Sequence, residues 1–423
     1  MSEQDELLNP AIEDPFADGV SRRRLLASSA AAGATAATAG CTASLPGGED
    51  GAAPTVFVFN TGDMTVSVID AETDELVTTT FLGATASFPA NQYAPTLTDS
   101  DEDYLWLNVS SGVKPVGAGS LSTAPTIETG SGANWQELTP DGSTLVVSAR
   151  EPAHKQFKID ADPGSDTFGE VLAELDRTGE PDTGEKNGPG PCDVTVGPDG
   201  AYAFVPDIYR DTLTVIDVDA FEIVAQVEVD PVGDADSVRP WMDTAAWDGD
   251  LLAVENNEGE HGTESIWDVS DPEHPEELAR LTADDGLGAL PLTSEIGPDS
   301  AIAYVFTPSS QDVTVVDLED RAVADRIDLG GQAFVGTWEP EREKLYVPVQ
   351  STNEVKVIDH ADRAVVDTIA VGAKPYGATA GTVRPETDAS AGFMASLASL
   401  GLSLGGVETT YCVASCHCGS MDH

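Results

Sequence analysis

The apolar positions of this chain recur in short alternating segments that come in pairs, with turns rich in Pro, Asp, Asn and Gly between them. Alternation with a period of two residues, bounded by such turns, predicts short antiparallel β-strands. Six pairs are present, at residues 93–98 and 104–109, 135–139 and 144–149, 192–196 and 201–205, 242–246 and 251–255, 292–296 and 301–306, and 334–338 and 345–349. A seventh first strand, 376–382, has no second strand after it.

The missing partner of that last strand is at the other end of the chain, at residues 56–59. Further alternating strings follow each pair, so a repeat contains four strands and spans about 40–50 residues, the length of a propeller blade. A ring that closes by pairing the two ends of the chain accounts for the unfinished repeat, whereas an open solenoid does not. The pattern therefore predicts an all-β, seven-bladed β-propeller over residues 55–384, closed by pairing the C-terminal inner strand with the N-terminal strands.

The repeats also share specific residues. The last one reads Leu345-Tyr-Val347 and then Val355-Lys-Val-Ile-Asp359, and earlier ones carry the turns Pro140-Asp-Gly142 and Pro198-Asp-Gly200. These strings resemble the YVTN family of WD40-like β-propellers. The resemblance implies the same fold. It says little about function, because propellers carry out binding, enzymatic and scaffold roles alike.

The N-terminal segment resembles an export signal. Arg22 and Arg23 precede an apolar, small-residue segment that is too short to span a membrane, so residues 1–40 are interpreted as a twin-arginine signal. Cys41 ends a lipobox-like string, which predicts lipidation of that cysteine, with residues 41–54 as a flexible tether. We expect an extracytoplasmic protein anchored to the outer face of the cell membrane. Ordinary cleavage nearby is the alternative.

The charge balance is strongly acidic. The chain has 74 Asp and Glu residues against 20 Lys and Arg, a formal net charge of −54. The absence of any basic stripe that could meet phosphates excludes nucleic-acid binding. Such a surface resembles that of haloarchaeal proteins, because molar salt shortens the Debye length to about 3 Å and screens the repulsion between the acids.

Candidate metal chemistry is concentrated in the last twelve residues, after a spacer at residues 385–411. This tail, residues 412–423, holds three of the five cysteines of the chain. Thiolate, imidazole and thioether groups are ligands for copper or zinc, and we expect copper ahead of zinc. The candidate ligands are Cys412, Cys416, His417, Cys418, Met421 and His423.

Other interpretations of the tail remain open. Cys412 and Cys416 are spaced one residue too far apart for the Cys-x-x-Cys-His motif, and no helical domain surrounds them, so c-type haem is not expected. The tail resembles the ligand loop of binuclear copper centres, but its histidine directly follows the second cysteine and no cupredoxin barrel is present. A disulfide that only staples the tail is the structural alternative.

A second candidate site is the mouth of the central channel where the inner strands begin, called the aromatic mouth below. Aligning the repeats places large side chains and one cysteine there, and a small molecule or a protein could bind to them; packing between blades is the alternative. The residues are Trp135, Cys192, Trp241, Phe334 and Tyr376.

The sequence thus predicts an exported, lipid-anchored binding propeller with a C-terminal metal site, acting as an electron-transfer accessory. A metal-free scaffold or ligand-binding propeller with a disulfide-stapled tail is the alternative. An enzyme at the channel mouth comes third, because no Ser/His/Asp order or carboxylate pair stands out among the 74 acids.

Overall fold

The structure, a computed structural model, describes residues 53–182, 184 and 186–386. In that part of the chain, seven antiparallel sheets follow one another as the blades of a propeller. From the channel outward, blade 1 contains β27 (Pro375–Gly381), β1 (Thr55–Asn60), β2 (Thr65–Asp70) and β3 (Glu75–Phe81). Blade 2 contains β4 (Tyr104–Val109), β5 (Gly112–Gly117) and β6 (Ile127–Glu128).

The other five blades have four strands each. Blade 3 contains β7 (Ala133–Leu138), β8 (Thr144–Ala149), β9 (Lys155–Asp160) and β10 (Val171–Asp176), and blade 4 contains β11 (Thr195–Val196), β12 (Tyr202–Asp207), β13 (Thr212–Asp217) and β14 (Glu222–Glu228). Blade 5 contains β15 (Pro240–Ala245), β16 (Leu251–Asn256), β17 (Thr263–Asp268) and β18 (Glu276–Leu281). Blade 6 contains β19 (Thr293–Ile296), β20 (Ile302–Thr307), β21 (Asp312–Asp317) and β22 (Ala322–Asp328), and blade 7 contains β23 (Thr337–Trp338), β24 (Lys344–Val349), β25 (Glu354–Asp359) and β26 (Ala364–Ala370).

The ring closes as the sequence predicted. Strand β27 pairs antiparallel with β1, with Thr55 opposite Gly381 and Phe57 opposite Thr379. Both strands are buried along their whole length, so the closing pair lies in the interior of the propeller. The outermost strands, such as β14, alternate between exposed and half-buried positions.

Blade 2 corrects one prediction. The predicted inner strand at 93–98 does not form: residues Ala94–Leu97 make a short helix, α1, and the blade keeps three strands. Pro95 sits in the first turn of this helix, where its missing N–H costs nothing, whereas in a strand it would remove a ladder hydrogen bond. The residues that precede α1 take another path, described below.

Two further features complete the fold. A 3-10 helix, Ala283–Asp285, follows β18. No helix among the residues that the structure describes is long and apolar enough to cross a membrane.

Candidate functional site

The aromatic mouth is a packed cluster. Trp135, Trp241, Phe334 and Tyr376 are each at most 7% exposed and belong to one apolar cluster. Phe88 lies between them, with its ring 4.6 Å from that of Trp135 and 5.5 Å from that of Tyr376. Tyr376 also stacks on Phe334, with 4.7 Å between the ring centroids. The structure therefore brings the predicted mouth residues together in one cluster, in which the rings of Trp135, Phe334 and Tyr376 contact one another or Phe88.

Cys192 belongs to the same cluster and is fully buried. Its sulfur accepts a hydrogen bond from Asn134 Nδ2 at 3.2 Å and a longer one from Arg150 Nη1 at 3.8 Å. Its environment is that of a packed core thiol. Whether any of these mouth residues binds a ligand remains a prediction.

Residues 87–93, which we call the plug, cross the centre of the channel. Their backbone or side chains hydrogen-bond to all seven blades. The partners are Thr379 in blade 1, Asn108 and Trp106 in blade 2, Gln136 in blade 3, Thr195 and Val196 in blade 4, Ala245 in blade 5, Glu295 in blade 6 and Gly336 in blade 7. Only a segment on the propeller axis can reach every inner strand.

Two amide side chains connect the plug to blades 5, 6 and 7. Asn91 Nδ2 donates to Glu295 Oε1 and to the carbonyl oxygen of Gly336, both at 2.9 Å. Gln92 Nε2 donates to the carbonyl oxygen of Ala245 at 3.0 Å. Gly377 allows the plug to pass, because a Cβ on this residue would lie 2.5 Å from the carbonyl oxygen of Ser87. Hydrogen bonds thus hold the plug in place, and the missing side chain of Gly377 leaves room for its backbone.

The opposite mouth, at the turns after the inner strands, is also covered by side chains. The Trp247 indole donates to the carbonyl oxygen of Ile296 at 2.9 Å. The guanidinium of Arg342, from blade 7, lies 3.7 Å from the centroid of this indole ring, and the Tyr93 ring meets its edge at 5.7 Å. The three side chains come from the plug, blade 5 and blade 7, so this end of the channel is bridged as well.

Buried carboxyl groups surround the plug. They belong to the innermost two strands or segments of blades 3 to 6, and each is at most 6% exposed: Glu137, Asp193, Asp243, Glu255 and Glu295. Glu264, beside Glu255 on β17, is equally buried. Burial without counter-charge favours the protonated form. We call the first five the channel carboxyls.

Burial changes the acidity of these groups. It raises the pKa of Glu137 to about 7, against the opposing effect of backbone N–H groups, including those of Gln92 at 3.4 Å and Leu138 at 3.1 Å. It also raises the pKa of Glu255 to about 7. Burial and the neighbouring acids hold the pKa values of Asp193, Asp243 and Glu295 well above their usual range.

Hydrogen bonding within the cluster is uneven. Asp193 accepts the backbone N–H groups of Val194 at 2.6 Å and Asp243 at 3.0 Å. The two carboxyl oxygens of Asp243, in contrast, accept no hydrogen bond from any residue that the structure describes. An unpaired buried carboxylate is costly, which favours a proton on this group.

Sequence reasoning missed this cluster, because no single motif contains it. The available signal was an acid placed between apolar residues in or just before an inner strand, as in Cys192-Asp193-Val194 before β11. The proline pair Pro89 and Pro95 was the corresponding signal for the plug, since two prolines so close together argue against a strand.

The predicted metal site lies outside the described residues, as do Arg22, Arg23 and Cys41. Within the residues that are described, no group of three or more His, Cys, Asp or Glu side chains is arranged to hold a metal ion. The tail ligands Cys412, Cys416, His417, Cys418, Met421 and His423 therefore stay a prediction.

Comparisons with known proteins support the fold. No protein-family model matches the chain, and no curated protein matches it. Solved structures, in contrast, do match the chain. The periplasmic gluconolactonase of Pseudomonas aeruginosa has a TM-score of 0.59 at 14% identity, over 78% of this chain and 99% of that one.

Two other solved structures are similar to the same extent. A putative 6-phosphogluconolactonase of Bacteroides uniformis has a TM-score of 0.60 at 13% identity, over 78% of this chain and 100% of that one. The Swd1 β-propeller domain of Myceliophteria thermophila has a TM-score of 0.55 at 12% identity, over 72% and 96%. At these identities the likeness shows the fold alone, so the resemblance to YVTN propellers is confirmed for the propeller fold and no further.

Proposed function

We propose that this protein is an exported, lipid-anchored binding propeller whose C-terminal tail holds a copper ion, and that it acts as an electron-transfer accessory. The observation that carries the binding role is the plug. A segment that hydrogen-bonds to all seven blades fixes their spacing, so the propeller is suited to be a rigid platform. Side chains cover both mouths, which favours recognition on the outer surface or through the tail.

The described chain begins and closes the ring at neighbouring points of blade 1. Thr55 pairs with Gly381, and the Ala53 N–H donates to the carbonyl oxygen of Thr382 at 2.9 Å. Arg384 forms an ion pair with Asp70 at 2.7 Å and donates to the carbonyl oxygen of Pro54 at 3.2 Å. The two ends of the closed ring are thus fixed to each other, which supports a rigid platform.

The metal hypothesis is tested by elemental analysis of the full mature chain, purified anaerobically in molar KCl, with a parallel count of free thiols. We expect about one copper per chain, lost in Cys416→Ser and retained in the control Cys192→Ser. Lipidation of Cys41 leaves four cysteines that can carry a thiol. Metal-free protein with only two free thiols would therefore contradict the proposal and support a disulfide-stapled tail. Loss of the metal in Cys192→Ser alone would place the site at the aromatic mouth.

The anchor is tested by cell fractionation. Replacing Arg22 and Arg23 together by Lys should leave the precursor in the cytoplasm, because the twin-arginine pair is the export signal. Replacing Cys41 by Ala should release exported protein from the membrane fraction. Membrane retention of the Cys41→Ala protein would show that a lipid on this residue is not the anchor.

A further inference from the structure

Two glutamates of blade 5, which we call the glutamate pair, lie side by side inside the propeller. Glu255 of β16 and Glu264 of β17 are direct partners in the antiparallel ladder, so their side chains leave the sheet on the same face. Both are at most 1% exposed. Like charges at opposed positions of a ladder repel each other, and the repulsion is stronger where water is excluded. A buried pair of this kind therefore requires a positive partner or protons.

The glutamate pair lacks a counter-charge in the described part of the chain. None of its four carboxyl oxygens has a hydrogen-bond partner among the described residues. Arg280 is near enough to act electrostatically on Glu264. Its guanidinium, however, is bonded to Glu258 at 2.7 Å and to Glu277 at 2.6 Å. The cation closest to the pair is thus already used by two other acids.

A serine of the next blade faces the same pair. Ser294 of β19 is 4% exposed, and the Thr244 hydroxyl of blade 5 donates to its carbonyl oxygen at 2.9 Å, which fixes this strand against blade 5. Burial raises the pKa of Glu255, and the Ser294 hydroxyl acts in the opposite direction, so the two side chains are neighbours. The Ser294 Oγ nevertheless has no hydrogen-bond partner within the residues that the structure covers. Buried hydroxyls without a partner are rare, and this one lies beside two unpartnered carboxyls.

Further acids make the potential at this point more negative. Glu255 acts electrostatically on Asp193, Asp243 and Glu295, which lie around the plug. A cation bound at Glu255 is therefore attracted by more groups than its direct ligands. Carboxylate and hydroxyl oxygens are the ligands that hard cations such as Ca²⁺ prefer. The two carboxylates of the glutamate pair also balance the charge of one divalent ion.

We propose that Glu255, Glu264 and Ser294 hold a calcium ion between blades 5 and 6. Two bidentate carboxylates and a hydroxyl supply about five of the roughly six to eight oxygen ligands that Ca²⁺ takes. Because the described residues offer no group of three acids arranged for a metal ion, a carbonyl oxygen or water completes the shell. The ion connects two neighbouring blades and neutralises the glutamate pair. The inference stands whether or not the tail binds copper, since thiol and imidazole groups select softer cations.

Equilibrium dialysis of the full mature chain against radioactive calcium in molar KCl tests the proposal. High salt weakens the binding of calcium to the exposed acids. We expect the parent chain to bind about one calcium ion more than Glu255→Gln or Glu264→Gln, with a dissociation constant of about 10⁻⁴ M or below. Ser294→Ala keeps both acids, and it should weaken binding roughly tenfold because it removes the neutral ligand. This variant tests the site even if a glutamine variant does not fold.

The matched control is Glu276→Gln. Glu276 and Asp268 are also cross-strand partners in blade 5, but Glu276 is exposed. This variant loses one charge, as the others do, and its calcium affinity should stay within about twofold of that of the parent. Circular dichroism shows whether each variant is folded. Excess calcium should raise the melting temperature of the parent and of this control, but not that of Glu264→Gln, because only a bound ion stabilises the folded state.

Three outcomes would overturn the proposal. Equal calcium binding by the parent and by folded Glu255→Gln and Glu264→Gln chains would mean that protons, and not a cation, neutralise the pair. An unchanged affinity in Ser294→Ala would show that the hydroxyl is not a ligand. Binding of Mg²⁺ as tight as that of Ca²⁺ would contradict a buried site, because Mg²⁺ usually keeps several waters.

Discussion

Replacing Glu137 by Gln tests whether the channel carboxyls control the pH dependence of stability. Glu137 is fully buried, and burial raises its pKa in the folded state from 4.5 to about 7. The folded state therefore holds this proton more tightly than the unfolded state, so the stabilisation is complete below pH 4.5 and is lost as the pH rises toward 7. Between pH 5 and pH 8 this one group should account for about 2.5 kcal/mol of the free energy of unfolding.

The assay is urea unfolding in molar KCl at pH 5 and pH 8. Glutamine is uncharged at both values, so the stability of the variant relative to the parent should improve by about 2.5 kcal/mol between pH 5 and pH 8. Glu222→Gln, at an exposed position of β14, is the control for the loss of one acid and should show a change below about 0.5 kcal/mol. If Glu137→Gln changes with pH no more than this control does, the carboxyl is not protonated in the folded channel and the argument fails.

Three further predictions concern the plug, the ring and the surface. Asn91→Ala removes the donor shared by Glu295 and Gly336 and should lower the free energy of unfolding in urea by roughly 3 kcal/mol. The control Gln350→Ala, at a half-buried position directly after β24, should lower it by less than about 1 kcal/mol. A loss as small as that of the control would show that the plug contributes little. Deleting residues 375–384 removes β27, so thermal unfolding followed by circular dichroism should no longer be cooperative. A melting curve equal to that of the parent chain would disprove closure by β1 and β27. Lowering KCl from molar to about 0.1 M lengthens the Debye length to about 10 Å and should unfold the chain, partly reversibly; full stability in dilute buffer would contradict the halophilic interpretation.

The sequence by itself determined the ring. Alternation within each strand and the turn residues between strands are local features, and they identified six second strands within a few residues of their observed bounds. The unpaired last strand then required β1 as its partner, and the register of Thr55 opposite Gly381 confirms it. These features could be predicted because the side-chain period and the turn conformations depend on a few neighbouring residues.

Only the tertiary structure decided what occupies the centre of the ring. Asn91 reaches Glu295 and Gly336, partners that are 204 and 245 residues away in the chain, and no local pattern specifies such contacts. Glu137 likewise cannot be told from the other acids of the chain until the ring buries it beside Gln92. A carboxyl group acquires its chemistry from the solvent and charges around it, and in this protein those surroundings exist only once seven blades have closed around the plug.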